Sequence, residues 1–197
     1  RGRDLIWSTV VNNYLLGKDP PAFDLLHWNG DVTNLPAAWH RDYLERFYRQ
    51  NLLVEPGAIT IMGKAIDLRT IKTPCYIQAG KEDHIAPPNS VWKILDHLAG
   101  EKKFLLAGSG HIAGVVNPPQ LNKYQYWHWP EAQPLPATLD EYIAGAQEVK
   151  GSWWPDWINW LKARSGKDIP TSAGRQPGKS KAYPAIEDAP GRYVKTR

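Results

Sequence analysis

Apolar and polar positions along the chain change period several times, and each change marks an element. Leu5, Ile6, Trp7, Val10, Val11 and Tyr14 recur near a helical period, which Gly17-Lys18-Asp19-Pro20-Pro21 stops. Residues 23–31 read as an extended segment ending in a turn. Thr33 or Asn34 is placed to cap a second helix, with Pro36 in its first turn. Tyr43, Leu44, Phe47 and Tyr48 give that helix an apolar face. Glu55-Pro56-Gly57 breaks the chain. Ala58-Ile59-Thr60-Ile61, a turn at Met62-Gly63-Lys64, and Ala65-Ile66-Asp67-Leu68 then predict a β-hairpin.

Two short apolar runs follow, and each ends at a glycine. Thr73-Pro74-Cys75-Tyr76-Ile77-Gln78-Ala79 leads into Gly80-Lys81-Glu82-Asp83-His84-Ile85-Ala86-Pro87. Lys102-Lys103-Phe104-Leu105-Leu106-Ala107 leads into Gly108-Ser109-Gly110-His111-Ile112-Ala113-Gly114. Between them Ser90 opens a predicted helix with Val91, Ile94, Leu95 and Leu98 on one face, closed by Gly100. Strand, helix and strand at this spacing make a βαβ unit, so the two strands are expected to be parallel neighbours. Their carboxyl ends then share one edge of the sheet, where ligands bind in such folds. This places Asp83 and His111 on one rim, although they are far apart in sequence.

Further on, Thr138-Leu139-Asp140-Glu141 forms a capping box for a helix expected to run to about Lys150. Pro155 suits the first turn of a helix through the tryptophan-rich segment, which Gly166 ends. Residues 125–130 are read as a surface loop. Beyond Gly166, Pro170, Gly174, Pro177, Gly178, Pro184, Pro190 and Gly191 leave little room for regular structure.

Composition changes this picture in three places. The formal charge of +4 sits in the tail: residues 166–197 hold seven basic and three acidic side chains, and the rest of the chain balances. A solvated terminus and an anionic partner both fit such a tail. No nucleic-acid motif accompanies it, and no nucleic-acid partner is expected. The single cysteine excludes an internal disulfide. Cys75 has no glycine beside it and reads as a small strand hydrophobe, with a reactive thiol as the alternative. The ten tryptophans, four of them in residues 153–160, point either to a helix packed by its indoles or to an aromatic surface. No apolar run reaches the roughly 18 residues of a membrane span. His27, His40, His97 and His128 lack metal-ligand spacing, and no dinucleotide or P-loop fingerprint occurs; neither a metal site nor a cofactor is expected.

An acid after one strand and a histidine after the next is the second half of an α/β-hydrolase triad, which runs nucleophile, acid, histidine. No Gly-x-Ser-x-Gly or Gly-x-Cys-x-Gly elbow is present. The first residue is Arg1, and a piece of a larger enzyme is expected. The alternatives at this level are another α/β-hydrolase, such as an esterase, and a non-catalytic interaction fragment.

Longer motifs narrow the choice. Residues 23–36 (Phe-Asp-Leu-Leu-His-Trp-Asn-Gly-Asp-Val-Thr-Asn-Leu-Pro), Glu82-Asp83-His84-Ile85, residues 108–119 and Gly151-Ser152-Trp153-Trp154-Pro155-Asp156-Trp157 resemble signatures of the class I poly(3-hydroxyalkanoate) synthases. Pro190-Gly191-Arg192-Tyr193-Val194-Lys195 is also similar. The resemblance implies a cytoplasmic, granule-associated homodimer that polymerises (R)-3-hydroxyacyl-CoA and releases CoA. It implies the C-terminal portion of an α/β-hydrolase fold: residues 1–39 as the end of a cap or lid, 40–165 as catalytic core, 166–197 as a basic tail. It also implies a Cys-Asp-His triad whose cysteine lies upstream of these residues and is not Cys75. Asp83 would orient the histidine or act as the base for elongation, and His111 would take the thiol proton. His84, Asn51 and Tyr48 match family positions near the pocket, with capping or packing as the other reading. Where family members often carry an aromatic-cysteine pair, this chain has Trp39-His40-Arg41-Asp42.

Overall fold

The computed structural model describes residues 7–19, 30, 34–131, 133–170, 178–192 and 195. The extended segment expected at 23–31, Gly30 apart, and the cap candidate Thr33 lie outside them. The chain divides into two compact units, Arg1–Asp67 and Leu68–Arg197.

In the first unit the expected first helix includes a wide π-helical segment, Val10–Leu15, and the chain leaves it at Gly17 with a left-handed φ of 60°. The second helix starts at α1 (Ala37–Asp42), with Pro36 itself at the N-cap rather than Asn34. It continues as a π-helical stretch, Tyr43–Arg49. Of the expected apolar face, Tyr43, Leu44 and Tyr48 are exposed; Trp39, Tyr43 and Phe47 follow at every fourth residue, with successive ring centres 5.9 and 5.5 Å apart. The expected hairpin is also present, shorter than its sequence suggests. β1 (Thr60–Ile61) and β2 (Lys64–Ala65) are antiparallel, joined by Met62 and Gly63 alone. Both turn residues have positive φ (50° and 78°), as the tight primed turn requires.

The second unit is built on a four-stranded mixed sheet of order β3-β4-β5-β6. β3 (Cys75–Gly80) and β4 (Lys102–Ala107) are parallel and in register from Cys75↔Lys102 to Gly80↔Ala107. The crossover is α2 (Pro88–Trp92), tightened into a 3-10 turn at Lys93–Asp96. This helix begins earlier than Ser90: Pro88 sits at its start, where a missing N–H costs nothing. Gly100 has a role other than a left-handed cap. Its N–H donates to the Ile71 carbonyl, and a Cβ there would stand 2.5 Å from the Thr73 oxygen.

Two expectations fail beyond β4. Residues 125–130 are not a surface loop: β5 (Gln125–His128) pairs antiparallel with β4. The capping-box helix does not reach Lys150. α3 (Leu139–Gly145) ends five residues sooner, and Gln147–Lys150 becomes the edge strand β6, antiparallel to β5. The physical reason is the same in both cases. Each new strand satisfies backbone groups that its neighbour would otherwise leave unpaired. Trp129 packs closely on the last turn, where a Cβ at Gly145 would stand 2.7 Å from its ring, so that position needs glycine. Among the described residues the sheet thus has two strands beyond the βαβ pair.

β4 is the centre of the unit. Phe104, Leu105, Leu106 and Ala107 are all buried, so both faces of the strand are covered. Phe104 and Leu106 pack with Ile77, Trp92, Leu95 and Tyr142 on one face. Leu105 and Ala107 pack with Tyr126 and Trp153 on the other. Tyr142 is fully enclosed, and its hydroxyl lies 3.0 and 2.9 Å from the carbonyls of Phe104 and Trp127, binding α3 to two strands. α4 (Trp154–Lys162) covers the second face, with Pro155 in its first turn as expected; it ends at Lys162, before Gly166.

Candidate active site at the carboxyl rim of the sheet

The parallel register of β3 and β4 delivers two loops to one rim, and short backbone bonds tie them together. Lys81 N–H donates to the Ala107 carbonyl (2.8 Å), and Glu82 N–H to that of Ser109 (3.2 Å). Gly80 is needed at this crossing, since a Cβ would come 3.1 Å from that of Asp83 and 3.2 Å from the Ser109 oxygen.

Asp83 is 8 % exposed, and each of its oxygens has a distinct task. Oδ1 accepts the N–H groups of Ile85 and Ala86, both at 2.9 Å, which closes a turn around the carboxylate. Oδ2 lies 2.8 Å from Nδ1 of His111. Burial by itself raises the pKa of this carboxyl. The donors from Ala86, His111 and Ile85 outweigh it and hold the group below its ordinary value. The carboxylate is thus ionised and fixed. With Nδ1–H given to Asp83, the imidazole keeps the lone pair of Nε2 for a proton. The His111 side chain is 46 % exposed, so a reacting group can reach it. A buried, ionised acid bonded to a half-exposed imidazole is the geometry that a histidine general base requires.

The structure brings together two of the five residues singled out from sequence. His84 follows Asp83 directly, but its side chain is exposed, while Asp83 turns inward. Tyr48 and Asn51 belong to the first unit. Tyr48 is exposed, its ring edge-on to Tyr43 at 5.4 Å. Asn51 has a left-handed backbone (φ 51°) and precedes the 3-10 turn Leu52–Val54, to which its side chain makes no capping bond. Cys75 lies at the opposite end of β3 from Asp83. Its Sγ is 3.3 Å from the Thr73 carbonyl, and the side chain packs against the core, as a strand hydrophobe does.

Sequence reasoning missed what the tryptophans do beside this site. The indole N–H of Trp153 donates to the Gly114 carbonyl and that of Trp154 to the Val115 carbonyl, each at 3.0 Å. Both carbonyls lie just past His111. The one signal in the sequence was chemical: a buried indole needs a partner for its N–H. A cavity of about 680 Å³ also opens at the other end of β4, against Lys103, Trp129, Asp156, Trp160 and Arg164; none of its lining residues comes from the two rim loops.

No protein-family model matches the chain. Curated relatives do, over its whole length. It is 46 % identical over 199 residues to poly(3-hydroxyalkanoate) polymerase subunit PhaC of Cupriavidus necator, of which it covers 32 %. It is 43 % identical over 197 residues to poly(3-hydroxyalkanoate) polymerase 2 of Ectopseudomonas oleovorans, covering 34 %, and to the PhaC subunit of Rhizobium meliloti, covering 31 %. The chain thus spans about a third of the length of the curated relatives it matches. An acid–histidine pair on a parallel βαβ rim, carried by a sequence this similar along every residue, places the chain in the family of the poly(3-hydroxyalkanoate) polymerases.

Proposed function

We propose that this chain supplies the aspartate and histidine of a Cys-Asp-His acyl-transfer centre that polymerises (R)-3-hydroxyacyl-CoA into poly(3-hydroxyalkanoate) and releases CoA. The observation that carries the reading is the 2.8 Å contact between buried Asp83 and half-exposed His111. The cysteine comes from a part of the polymerase outside these 197 residues. His111 Nε2 takes its proton, the thiolate attacks the thioester carbonyl, and CoA leaves as the acyl-enzyme forms. For elongation, the 3-hydroxyl of one unit attacks the thioester of the next. That hydroxyl needs a base. In this reading His111 is that base, supported by the burial of Asp83 and the engagement of both its oxygens. Asp83 then acts by orienting the ring and stabilising the imidazolium.

The remaining parts of the reading rest on resemblance: an α/β-hydrolase fold of class I type, residues 1–39 in a cap and 166–197 in a tail, substrate contacts from His84, Asn51 and Tyr48, a homodimer, and a cytoplasmic enzyme held at the polyester granule. Among the described residues no helix is long and apolar enough to cross a membrane.

The test is CoA release and polymer yield from 3-hydroxybutyryl-CoA by the full-length polymerase. Asp83→Asn is expected to lower kcat by about 10³- to 10⁴-fold, on the scale of mis-set triads, and His111→Ala at least as much, with no acyl-enzyme burst. Wild-type turnover in both variants would remove the pair from the chemistry. Ester hydrolysis without CoA-dependent polymer growth would assign the chain to a depolymerase or esterase instead.

A further inference from the structure

We propose that Trp153 and Trp154 are positioning residues for His111, acting through the loop that carries it; the proposal rests on the reading of Asp83 and His111 as the acid–base pair. Among the described residues, Asp83 alone bonds the imidazole directly. The rest of its placement comes from the backbone of its loop. That loop is a coil of local bonds: Gly114 N–H donates to Gly110 (3.0 Å), Val115 and Val116 N–H to Ile112 (3.1 and 2.8 Å). The turn therefore moves as one piece. Gly114 is a tight point in it, because a Cβ there would stand 2.9 Å from the carbonyl oxygens of Gly108 and Gly110. His111 lies inside this coil, three residues from the first pinned carbonyl.

The two indoles grip the coil at adjacent carbonyls, and they are themselves anchored. Trp153 is buried, with its ring 6.1 Å from Tyr76 of β3 and 5.7 Å from Trp157 of α4. Trp154 has its backbone N–H held by Ser152 Oγ (3.1 Å), and Gly151 N–H is bound to the Tyr124 carbonyl (2.9 Å). The clamp thus connects the histidine loop to β3, the same strand that positions Asp83. Packing alone explains neither donor, since a phenylalanine ring fills much of the same space without an N–H. Trp154 is only half-buried, so its indole N–H is not there to satisfy a deep core. Two consecutive side chains directing N–H groups at two consecutive carbonyls fix both the height and the rotation of the turn. That sets where Nε2 points relative to an incoming thiol or hydroxyl.

The experiment uses the full-length polymerase with Trp154→Phe, Trp153→Phe and, as a control, Asp83→Asn, assayed on 3-hydroxybutyryl-CoA across pH. Each Trp→Phe variant is expected to lose about 10-fold in kcat, because a displacement well under 1 Å suffices for that, with KM changed less than about two-fold. The pH at half-maximal kcat is expected to move as the Asp83–His111 contact loosens, while the Trp154→Phe enzyme keeps its unfolding temperature. Wild-type kcat and pH profile in Trp154→Phe and in folded Trp153→Phe, with activity lost in Asp83→Asn, would overturn the clamp and leave the pair standing. Wild-type turnover in Asp83→Asn would instead overturn the reading beneath it. A fall in kcat that only follows loss of folded enzyme, with an unmoved pH profile, also counts against the clamp. If Trp153→Phe does not fold, Trp154→Phe decides.

Discussion

At the scale of single residues, Asp83 shows how a buried charge is kept. Desolvation works against the carboxylate, and two backbone donors and an imidazole overcome it. Its folded pKa lies below the ordinary value of 3.8. A carboxyl shifted down favours the fold fully above its unfolded pKa, and the contribution disappears as pH falls through the folded value. Wild-type protein is therefore expected to be more stable than Asp83→Asn at neutral pH, with the gap closing below about pH 4. Urea unfolding of both proteins at several pH values measures this directly; a gap that widens on acidification would contradict the assigned partners. The backbone contacts of Asp83 were not legible in advance. Its place just after the strand was, because the sequence pattern ended an apolar run at Gly80 just before it.

At the scale of elements, local chemistry and tertiary pairing divide the work. The start of α3 is purely local. Thr138 Oγ1 accepts the Glu141 N–H at 3.2 Å, and the Glu141 carboxylate accepts the Thr138 N–H at 3.2 Å. Four consecutive residues specify it, so the sequence alone locates it. Thr138→Ala is expected to cost about 1 kcal/mol, read from the denaturation midpoint with the slope unchanged. The end of α3 is not local. Gln147-Glu148-Val149-Lys150 carries one apolar residue and has no strand alternation to detect. It becomes β6 because β5 offers a free edge, and Val149 completes the packing over Tyr126 and Trp153. β5 is similarly hidden. Gln125-Tyr126-Trp127-His128 is only four residues long, and its aromatic side chains serve both faces of the sheet.

At the scale of the second unit, one polar cluster ties layers that hydrophobic packing alone would let slide. The Tyr76 hydroxyl donates to Asp156 Oδ2 (2.7 Å), and Lys103 Nζ donates to Asp156 Oδ1 (2.9 Å). These residues come from β3, β4 and α4. The Lys103 and Asp156 side chains are 14 % and 18 % exposed, so solvent screens them weakly. Burial and the neighbouring carboxylate push the Tyr76 hydroxyl pKa far up, and the group remains a neutral donor. Asp156→Ala would leave Tyr76 without an acceptor and Lys103 with only exposed Glu131, at 3.2 Å. The expected loss is about 2–3 kcal/mol, the range for buried polar groups stripped of partners. A double-mutant cycle with Tyr76→Phe should show coupling well above 0.5 kcal/mol; additivity would mean that the cluster does not act as a unit.

The sequence by itself determined the βαβ unit, the placement of Asp83 and His111 at its rim, the capping box, the hairpin and a helix through the tryptophan-rich segment. Each is written within a short window, in glycines that end strands, polar caps, or side chains at a fixed period. Only the tertiary structure decided that β5 and β6 extend the sheet, that α3 stops at Gly145, and that two tryptophans hold the histidine loop. Those outcomes depend on groups far apart in the chain: a strand edge in need of partners, and carbonyls 39 residues from their donors. Sequence pattern reports what a segment can bury; which partner it meets is set only once the sheet has formed.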